Sequence, residues 1–218
     1  MTKLSLEHLI RKPSITTVGK PPLLLLLHGY GSNEEDLFSF APELPGEYYI
    51  ISARAPMPMP PSGNAWYTIY WDAPNGKWSD DKEAIEARDL ISKFITEAIE
   101  AYELDENNVT LIGFSQGTIL SYAVALTYPE KIKNVVALSG YINTDITQVK
   151  EDKSAYNNLN IFCSHGTVDQ VIPVNAARMA PAFLKELGIE TTLKEYPVGH
   201  GVAPQNFYDA KSWLEAHK

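Results

Sequence analysis

Short aliphatic runs recur along this chain and alternate with longer segments of helical periodicity. Most of the runs are rich in Val, Ile and Leu, and they predict strands over 23–27, 48–52, 109–113, 135–139, 161–165 and 191–196. Buried strands that alternate with helices are typical of a mostly parallel sheet with helices on both faces. The pattern therefore predicts an α/β fold.

The clearest helix begins at Asp80 and places its apolar residues on one broad stripe as far as Tyr102. Glu83 stands three positions after Asp80, which is the spacing of a capping box. The same criteria predict three further helices, over 116–127, 175–187 and 206–216.

The stretch 54–78 interrupts the alternation, because it contains five prolines and five Trp or Tyr residues. A long loop in a compact domain is usually functional, and the aromatic content argues against disorder. With no internal repeat or linker in the sequence, we expect one domain over 1–218, with 54–78 as a loop near the active site.

The formal net charge of -9 disfavours binding to nucleic acid or to anionic lipid. The longest aliphatic run, 23–27, is far too short to span a bilayer, and the amino terminus lacks the features of a secretory signal. The single cysteine, Cys163, suits a reducing compartment, where we expect it to pack as a small apolar side chain. These features predict a cytoplasmic protein without stable membrane insertion.

Candidate chemistry begins with residues 113–117, Gly-Phe-Ser-Gln-Gly, which match G-x-S-x-G. The motif lies between a predicted strand and a predicted helix, which is the context of a nucleophile on a strained turn. Both flanking positions are glycine, as such a turn requires. Ser115 is therefore the candidate nucleophile.

A serine hydroxyl needs a base and an acid that orients the base, and in this kind of hydrolase the acid precedes the histidine along the chain. His200 follows a predicted strand between two glycines, which we expect to give its imidazole room. His165 ends a strand and His217 lies at the chain terminus. Asp169, in a short turn after a strand, is the preferred acid, and Asp145, one strand earlier, is the alternative.

Acyl transfer also needs N–H donors for the oxyanion, one after the nucleophile and one after an early strand. Gln116 and Tyr30 occupy those positions. Gly31 permits unusual backbone angles beside Tyr30, whereas Gly29-x-Gly31 lacks the third glycine of a dinucleotide motif. There is no Walker motif and no spacing of metal ligands, so no metal is expected.

These motifs together resemble the phospholipase/carboxylesterase family, which includes acyl-protein thioesterases and small bacterial carboxylesterases. The resemblance rests on five segments in the family's order: LLLLLHGYGSNEED, GFSQGTILSYAVAL, ALSGY, HGTVDQVIP and GHG. It implies an α/β-hydrolase fold without a large cap domain, a Ser-Asp-His triad, no cofactor, and water as the acyl acceptor.

The leading hypothesis is thus a serine carboxylesterase that acts on a small-molecule ester or thioester through an acyl-enzyme. A dienelactone-hydrolase-like enzyme and a non-catalytic hydrolase-fold binding protein are the alternatives, and a homodimer is left open. We expect an acyl-binding wall that prefers short to medium chains, formed by the aromatic stretch together with a later tyrosine: Trp66, Tyr70, Trp71 and Tyr141.

Overall fold

The aliphatic runs form a sheet with helices packed on both of its faces. The structure is a computed structural model that describes residues 4–16, 18–72 and 76–218, with the side chains at 71, 72, 76 and 77 left outside the description. The strands of the described part are β1 (His8–Arg11), β2 (Pro22–Leu27), β3 (Tyr49–Ala53), β4 (Met57–Pro58), β5 (Asn64–Ala65), β6 (Ile69–Asp72), β7 (Gly76–Ser79), β8 (Asp105–Phe114), β9 (Asn134–Leu138), β10 (Asn160–Gly166) and β11 (Thr191–Tyr196). The helices are α1 (Glu35–Phe38), α2 (Asp81–Tyr102), α3 (Gln116–Thr127), α4 (Val174–Arg178), α5 (Ala180–Glu186) and α6 (Pro204–Ala216).

Seven strands form the central sheet in the order β1-β3-β2-β8-β9-β10-β11. Strand β1 is antiparallel to β3, and every other neighbouring pair is parallel. The predicted α/β class with a mostly parallel sheet is therefore confirmed. None of the helices that the structure describes has the length and apolar character of a membrane-spanning helix.

The run of leucines in β2 shows how the two layers are built. Because side chains alternate along a strand, Leu23, Leu25 and Leu27 enter the core cluster that includes α2 and α3, whereas Leu24 and Leu26 enter the cluster that includes α6. All five leucines are fully buried. A continuous apolar run is thus the signature of a strand covered on both faces.

Two predicted helices differ from the structure. The helix expected over 175–187 is divided into α4 and α5 around Met179, because Pro181 has no N–H to continue the hydrogen-bond ladder. The helix expected from residue 206 begins at Pro204, since the first turn of a helix tolerates proline. Helix α2 follows its N-cap Asp80, whose carboxylate accepts from the Glu83 N–H at 3.1 Å, as the capping box predicts.

The stretch 54–78 is more regular than the predicted loop. It contains most of two short antiparallel hairpins, β4 with β5 and β6 with β7, the second of which ends at Ser79. The prediction of a long loop without regular structure is therefore wrong in this part. Strands of two to four residues show too little alternation for the sequence to reveal them.

The register of the parallel strands decides where a site can form. Leu27 pairs with Gly113 across β2 and β8, and Phe114 pairs with Leu138 across β8 and β9. The carboxyl ends of these strands therefore meet at one edge of the sheet, where ligands of open α/β sheets bind.

Candidate active site

Ser115 occupies the turn between β8 and α3 in a strained conformation, with φ 53° and ψ -114°. Its glycine neighbours are required by close packing. A Cβ at Gly113 would lie 2.4 Å from the Gly117 carbonyl oxygen, and a Cβ at Gly117 would lie 2.0 Å from the Leu27 carbonyl oxygen. Backbone strain of this kind persists only where the surroundings enforce it, and it is frequent at active sites.

The structure brings His200 to the hydroxyl of Ser115. His200 lies in the connection between β11 and α6, and its Nε2 is 2.9 Å from Ser115 Oγ. Its Nδ1 is 2.6 Å from Asp169 Oδ2. The Phe114 ring packs against the imidazole, with the ring centroids 5.0 Å apart. The arrangement holds Nδ1–H toward the carboxylate and leaves Nε2 to accept the serine proton.

Asp169 follows β10 and has a fully buried side chain. Its Oδ1 accepts hydrogen bonds from the N–H groups of Val171 and Ile172, at 2.8 and 2.9 Å. Burial by itself raises the pKa of this carboxyl, but the hydrogen bonds from His200 and the two backbone donors outweigh burial and leave the pKa below its ordinary value. Asp169 is therefore held as a carboxylate.

The other acid and base candidates lie elsewhere. Asp145 is exposed, in a short 3-10 turn, and it is Asp169 that contacts His200. His165 is fully buried, with Nε2 2.8 Å from the Ile172 carbonyl oxygen and 3.3 Å from Asp169 Oδ2. His217 stacks on Trp213 near the end of α6. Only His200 among these histidines is hydrogen-bonded to Ser115 within the described part of the chain.

The glycines around His200 do not have the role that we predicted. A Cβ at Gly199 or Gly201 would meet no atom within 4 Å, so the imidazole does not depend on glycine there for room. The glycine that close packing requires in this region is Gly166, where a Cβ would lie 2.2 Å from the Gly199 carbonyl oxygen. The acid loop and the histidine loop therefore touch backbone to backbone.

Tyr30 and Gln116, the predicted oxyanion donors, lie on two segments that meet at Ser115. A Cβ at Gly29 would be 3.4 Å from Ser115 Cβ, which places the 28–31 loop against the nucleophile. Gly31 has φ +77°, as its place in the turn requires. Neither the Tyr30 N–H nor the Gln116 N–H donates to another residue that the structure describes. Both are free to bind a ligand oxygen.

The side chain of Gln116 has a second role that the sequence did not reveal. Its Oε1 accepts from the Trp66 N–H at 2.9 Å, and its Nε2 donates to the Tyr67 carbonyl oxygen at 2.8 Å. The indole of Trp66 donates to the His28 carbonyl oxygen at 2.9 Å. These groups are buried. They join the turn at Ser115, the aromatic segment, and the loop 28–31, which carries the predicted donor Tyr30 and is termed the oxyanion loop.

His28, the first residue of that loop, is fully buried. Its Nδ1 lies 2.8 Å from the Gly29 carbonyl oxygen, and its Nε2 accepts from the Ala55 N–H at 3.0 Å. Burial lowers the pKa of His28, which keeps the imidazole neutral. A neutral ring with Nδ1–H as donor and Nε2 as acceptor satisfies both contacts.

Backbone contacts join the same loop to the β4–β5 hairpin. The Gly31 N–H donates to the Asn64 carbonyl oxygen at 2.9 Å, and the Asn64 N–H donates to the Ser32 carbonyl oxygen at 2.6 Å. Gly63 has φ +93°, and a Cβ there would lie 2.0 Å from the Gly31 carbonyl oxygen. The hairpin is thus seated directly on the oxyanion loop.

An ion pair lies three residues beyond the loop 28–31, at Glu34. Arg54 binds both carboxylate oxygens of buried Glu34 and also pairs with Glu7. The hydrogen bond from Arg54 lowers the pKa of Glu34 and outweighs the opposing effect of burial. Bidentate pairs of this geometry restrict orientation as well as distance.

A cleft of about 530 Å³ opens beside Ser115. Its lining includes Tyr141, one of the residues predicted for the acyl-binding wall, together with Tyr67, Ile69 and Trp78. Two other predicted wall residues lie elsewhere. Trp66 is 1% exposed and belongs to the core beneath the oxyanion loop, because its indole N–H is drawn inward to a backbone carbonyl.

Tyr70, the second of these, is outside the cleft lining and 38% exposed, with its ring stacked on Trp78 at 4.1 Å. The side chain of Trp71, the last predicted wall residue, lies outside the described residues. Within the ranges that the structure describes, no group of three or more His, Cys, Asp or Glu side chains is arranged to hold a metal ion.

Comparison with known proteins identifies the family. The family described as Phospholipase/Carboxylesterase matches residues 15–218. The chain belongs to the phospholipase/carboxylesterase family. This match confirms the family resemblance and the enzyme class predicted from the sequence, a carboxylic ester hydrolase.

Individual proteins of known name are similar to this chain. A probable carboxylesterase SOBER1-like protein of Arabidopsis thaliana is 30% identical over 207 residues, which cover 88% of this chain and 77% of that protein. Acyl-protein thioesterase 1 of Cryptococcus neoformans is 28% identical over 211 residues, with coverage of 88% and 84%. The crystal structure of the Bacillus cereus carboxylesterase has a TM-score of 0.83 at 22% identity and covers 98% of this chain and 95% of that chain. The last comparison confirms the α/β-hydrolase fold.

Proposed function

We propose that this enzyme hydrolyses carboxylic esters or thioesters through a covalent acyl-enzyme on Ser115. His200 Nε2 accepts the hydroxyl proton while Ser115 Oγ attacks the acyl carbon, and the tetrahedral oxyanion forms between the N–H groups of Tyr30 and Gln116. The imidazolium then gives its proton to the leaving alcohol or thiol. Asp169 orients the ring and stabilises its positive charge.

Deacylation uses the same groups with water in place of serine. His200 removes a proton from water, the resulting hydroxide attacks the acyl carbon, and the proton returns to Ser115 as the acid leaves. The two oxyanion donors act in both halves of the cycle. No cofactor is needed for either half.

The observation that carries this proposal is the continuous hydrogen-bonded series from serine to acid. Ser115 Oγ and His200 Nε2 are 2.9 Å apart, and His200 Nδ1 and Asp169 Oδ2 are 2.6 Å apart. Its three members come from three separate connections of the sheet, which supports a functional origin over chance packing.

Neither alternative from the sequence gains support. A dienelactone-hydrolase-like enzyme would use a cysteine nucleophile, and burial raises the pKa of Cys163 to about 12. That thiol is therefore protonated and inaccessible at neutral pH. A non-catalytic binding protein is at odds with the enzyme class of the family.

The test is active-site labelling with a fluorophosphonate, followed by peptide mapping. We expect one label per chain, on Ser115, and loss of ester hydrolysis in Ser115→Ala with an unchanged melting temperature. Ser62→Ala, which removes an exposed hydroxyl from the same chain, is the control and is expected to label and turn over normally. A label on another serine, or an active Ser115→Ala protein, excludes the proposed nucleophile.

Other parts of the sequence interpretation stay predictions. They are the single domain over 1–218, the cytoplasmic location and the absence of nucleic-acid partners. The substrate that we propose is a small-molecule acyl ester or thioester.

A further inference from the structure

The charged side chains in the described lining of the cleft beside Ser115 are all acidic. Its described lining contains two carboxylates, Asp81 and Asp145, and no lysine or arginine. Asp81 is the first residue of α2, and Asp145 lies in the turn Thr144–Ile146. Neither forms an ion pair with a cation of the described chain. Among the described residues, the side-chain partners of Asp81 are distant, with Ser79 Oγ at 3.4 Å and Asn143 Nδ2 at 3.5 Å.

Aromatic rings line the same cleft. Tyr67, Trp78 and Tyr141 all contribute to its wall. Burial is the main reason that the pKa of Tyr141 is raised, and the negative charges of Asp81 and Asp145 raise it further. Tyr141 and the two carboxylates line the same cleft. The face of an aromatic ring is electronegative and attracts cations. Rings and carboxylates therefore favour the same kind of ligand.

We propose that the enzyme selects esters or thioesters that carry a cationic group, such as a quaternary ammonium, which lies against these rings with Asp81 and Asp145 as counter-charges. The inference rests on the proposed function, since the cleft takes substrate only if Ser115 is the nucleophile. The uncharged remainder of the substrate contacts the apolar lining at Ile119 and Ile172.

The same features act against anionic substrates. A phosphate or free carboxylate in the cleft would face two carboxylates and no compensating lysine or arginine among the described lining residues. The formal net charge of -9 extends this preference to the approach of the substrate, because a negative field attracts cations.

The test compares esters of matched shape that differ by one charge. On the alcohol side, the pair is butyrylcholine and its isostere with a quaternary carbon in place of the nitrogen. On the acyl side, the pair is the p-nitrophenyl ester of a trimethylammonio acid and its carbon isostere. The readout is the ratio of kcat/KM between the two members, corrected for their relative rates of hydroxide-catalysed hydrolysis.

In at least one pair we expect the cationic ester to be preferred by about 5- to 30-fold, the range that corresponds to a partly desolvated cation on aromatic rings. The ratio is expected to fall several-fold in the double variant Asp81→Asn, Asp145→Asn and to decrease as ionic strength rises. Glu100→Gln is the matched control. It removes one charge from the exposed far end of α2 and is expected to keep the ratio.

Two results overturn the charge preference. One is equal corrected rates within both pairs, and the other is a double variant with the wild-type ratio. The uncharged isosteres test the proposed function separately, because their hydrolysis must disappear in Ser115→Ala whatever the ratio is. If neither member of either pair is hydrolysed, the proposed function fails and this inference fails with it.

Discussion

The side chain of Gln116 offers a sharp test of how this site is held together. Gln116→Met keeps the length of the side chain and the backbone N–H that we assign to the oxyanion, but it removes the amide. The Trp66 N–H and the Tyr67 carbonyl oxygen then lose their partners at 2.9 and 2.8 Å. Both groups belong to residues that are no more than 2% exposed.

The cost follows from that burial. Each buried polar group left without a partner costs about 1–3 kcal/mol, so the variant loses about 2–6 kcal/mol of stability. For a chain of this size, 1 kcal/mol corresponds to a change in melting temperature of about 2–4 °C. A decrease of at least about 4 °C is therefore expected in a calorimetric or circular dichroism melt.

Activity is expected to fall for a separate reason. The variant keeps the backbone N–H of residue 116, but the turn that carries this N–H is no longer hydrogen-bonded to the Tyr67 backbone. Small displacements of catalytic donors are costly, and we expect kcat/KM for a p-nitrophenyl ester to fall by about 10- to 100-fold, mainly through kcat.

Gln148→Met is the matched control, because Gln148 is exposed and its side chain forms no hydrogen bond with a described residue. It is expected to melt and turn over like the wild type. The reasoning is refuted if Gln116→Met melts at the wild-type temperature with the wild-type rate, since the two hydrogen bonds would then hold nothing in place.

Three further predictions concern the acid, an ion pair and a backbone contact. Asp169→Asn is expected to lower kcat by about 10⁴-fold, with a mild effect from Asp145→Asn, and a reversal of the two would move the acid to the earlier strand. The lowered pKa of Glu34 means that its carboxylate stabilises the fold above the pKa of the unfolded chain and that this contribution is lost as pH falls through the folded value. In urea unfolding, the stability difference between wild type and Glu34→Gln should therefore shrink below about pH 4, and a difference that grows on acidification contradicts the ion pair. Gly63→Ala should lower both the melting temperature and kcat more than Gly19→Ala does. Both glycines have φ near +90°, but only at Gly63 would an added Cβ collide with a carbonyl oxygen, that of Gly31. Equal effects of the two substitutions would show that backbone strain alone is responsible.

Much of the fold follows from short-range patterns in the sequence. The strand 191–196 and the helix 116–127 have the predicted bounds in the structure. Both patterns succeed because their determinants are local: a short run with strand-favouring Thr and Tyr that ends before Pro197, and a helix bounded by the turn at Ser115 and by Pro129. The order of Ser115, Asp169 and His200 along the chain likewise suggested the three side chains that the structure brings together.

The missed features depend on contacts between distant residues. Strand β1 is a run of four residues with polar side chains at both ends, and it is a strand because it pairs with the edge of β3. Trp66 was assigned to the substrate wall because aromatics often line clefts, but hydrogen bonds to Gln116 and His28 turn it inward. Periodicity cannot show which of several neighbouring aromatics finds a buried acceptor.

The contact between Gly63 and the Gly31 carbonyl has a consequence for redesign. The β4–β5 hairpin, which precedes the cleft wall, is hydrogen-bonded to the oxyanion loop through Asn64. The segment that contains the hairpin and the wall therefore cannot be exchanged without affecting that loop. A specificity graft that replaces this segment with one from a relative must reproduce the glycine and the two backbone bonds, or it will alter the rate of every substrate alike. Single side-chain changes at Tyr67 or Trp78 avoid that difficulty and are the practical route to new selectivity in this scaffold.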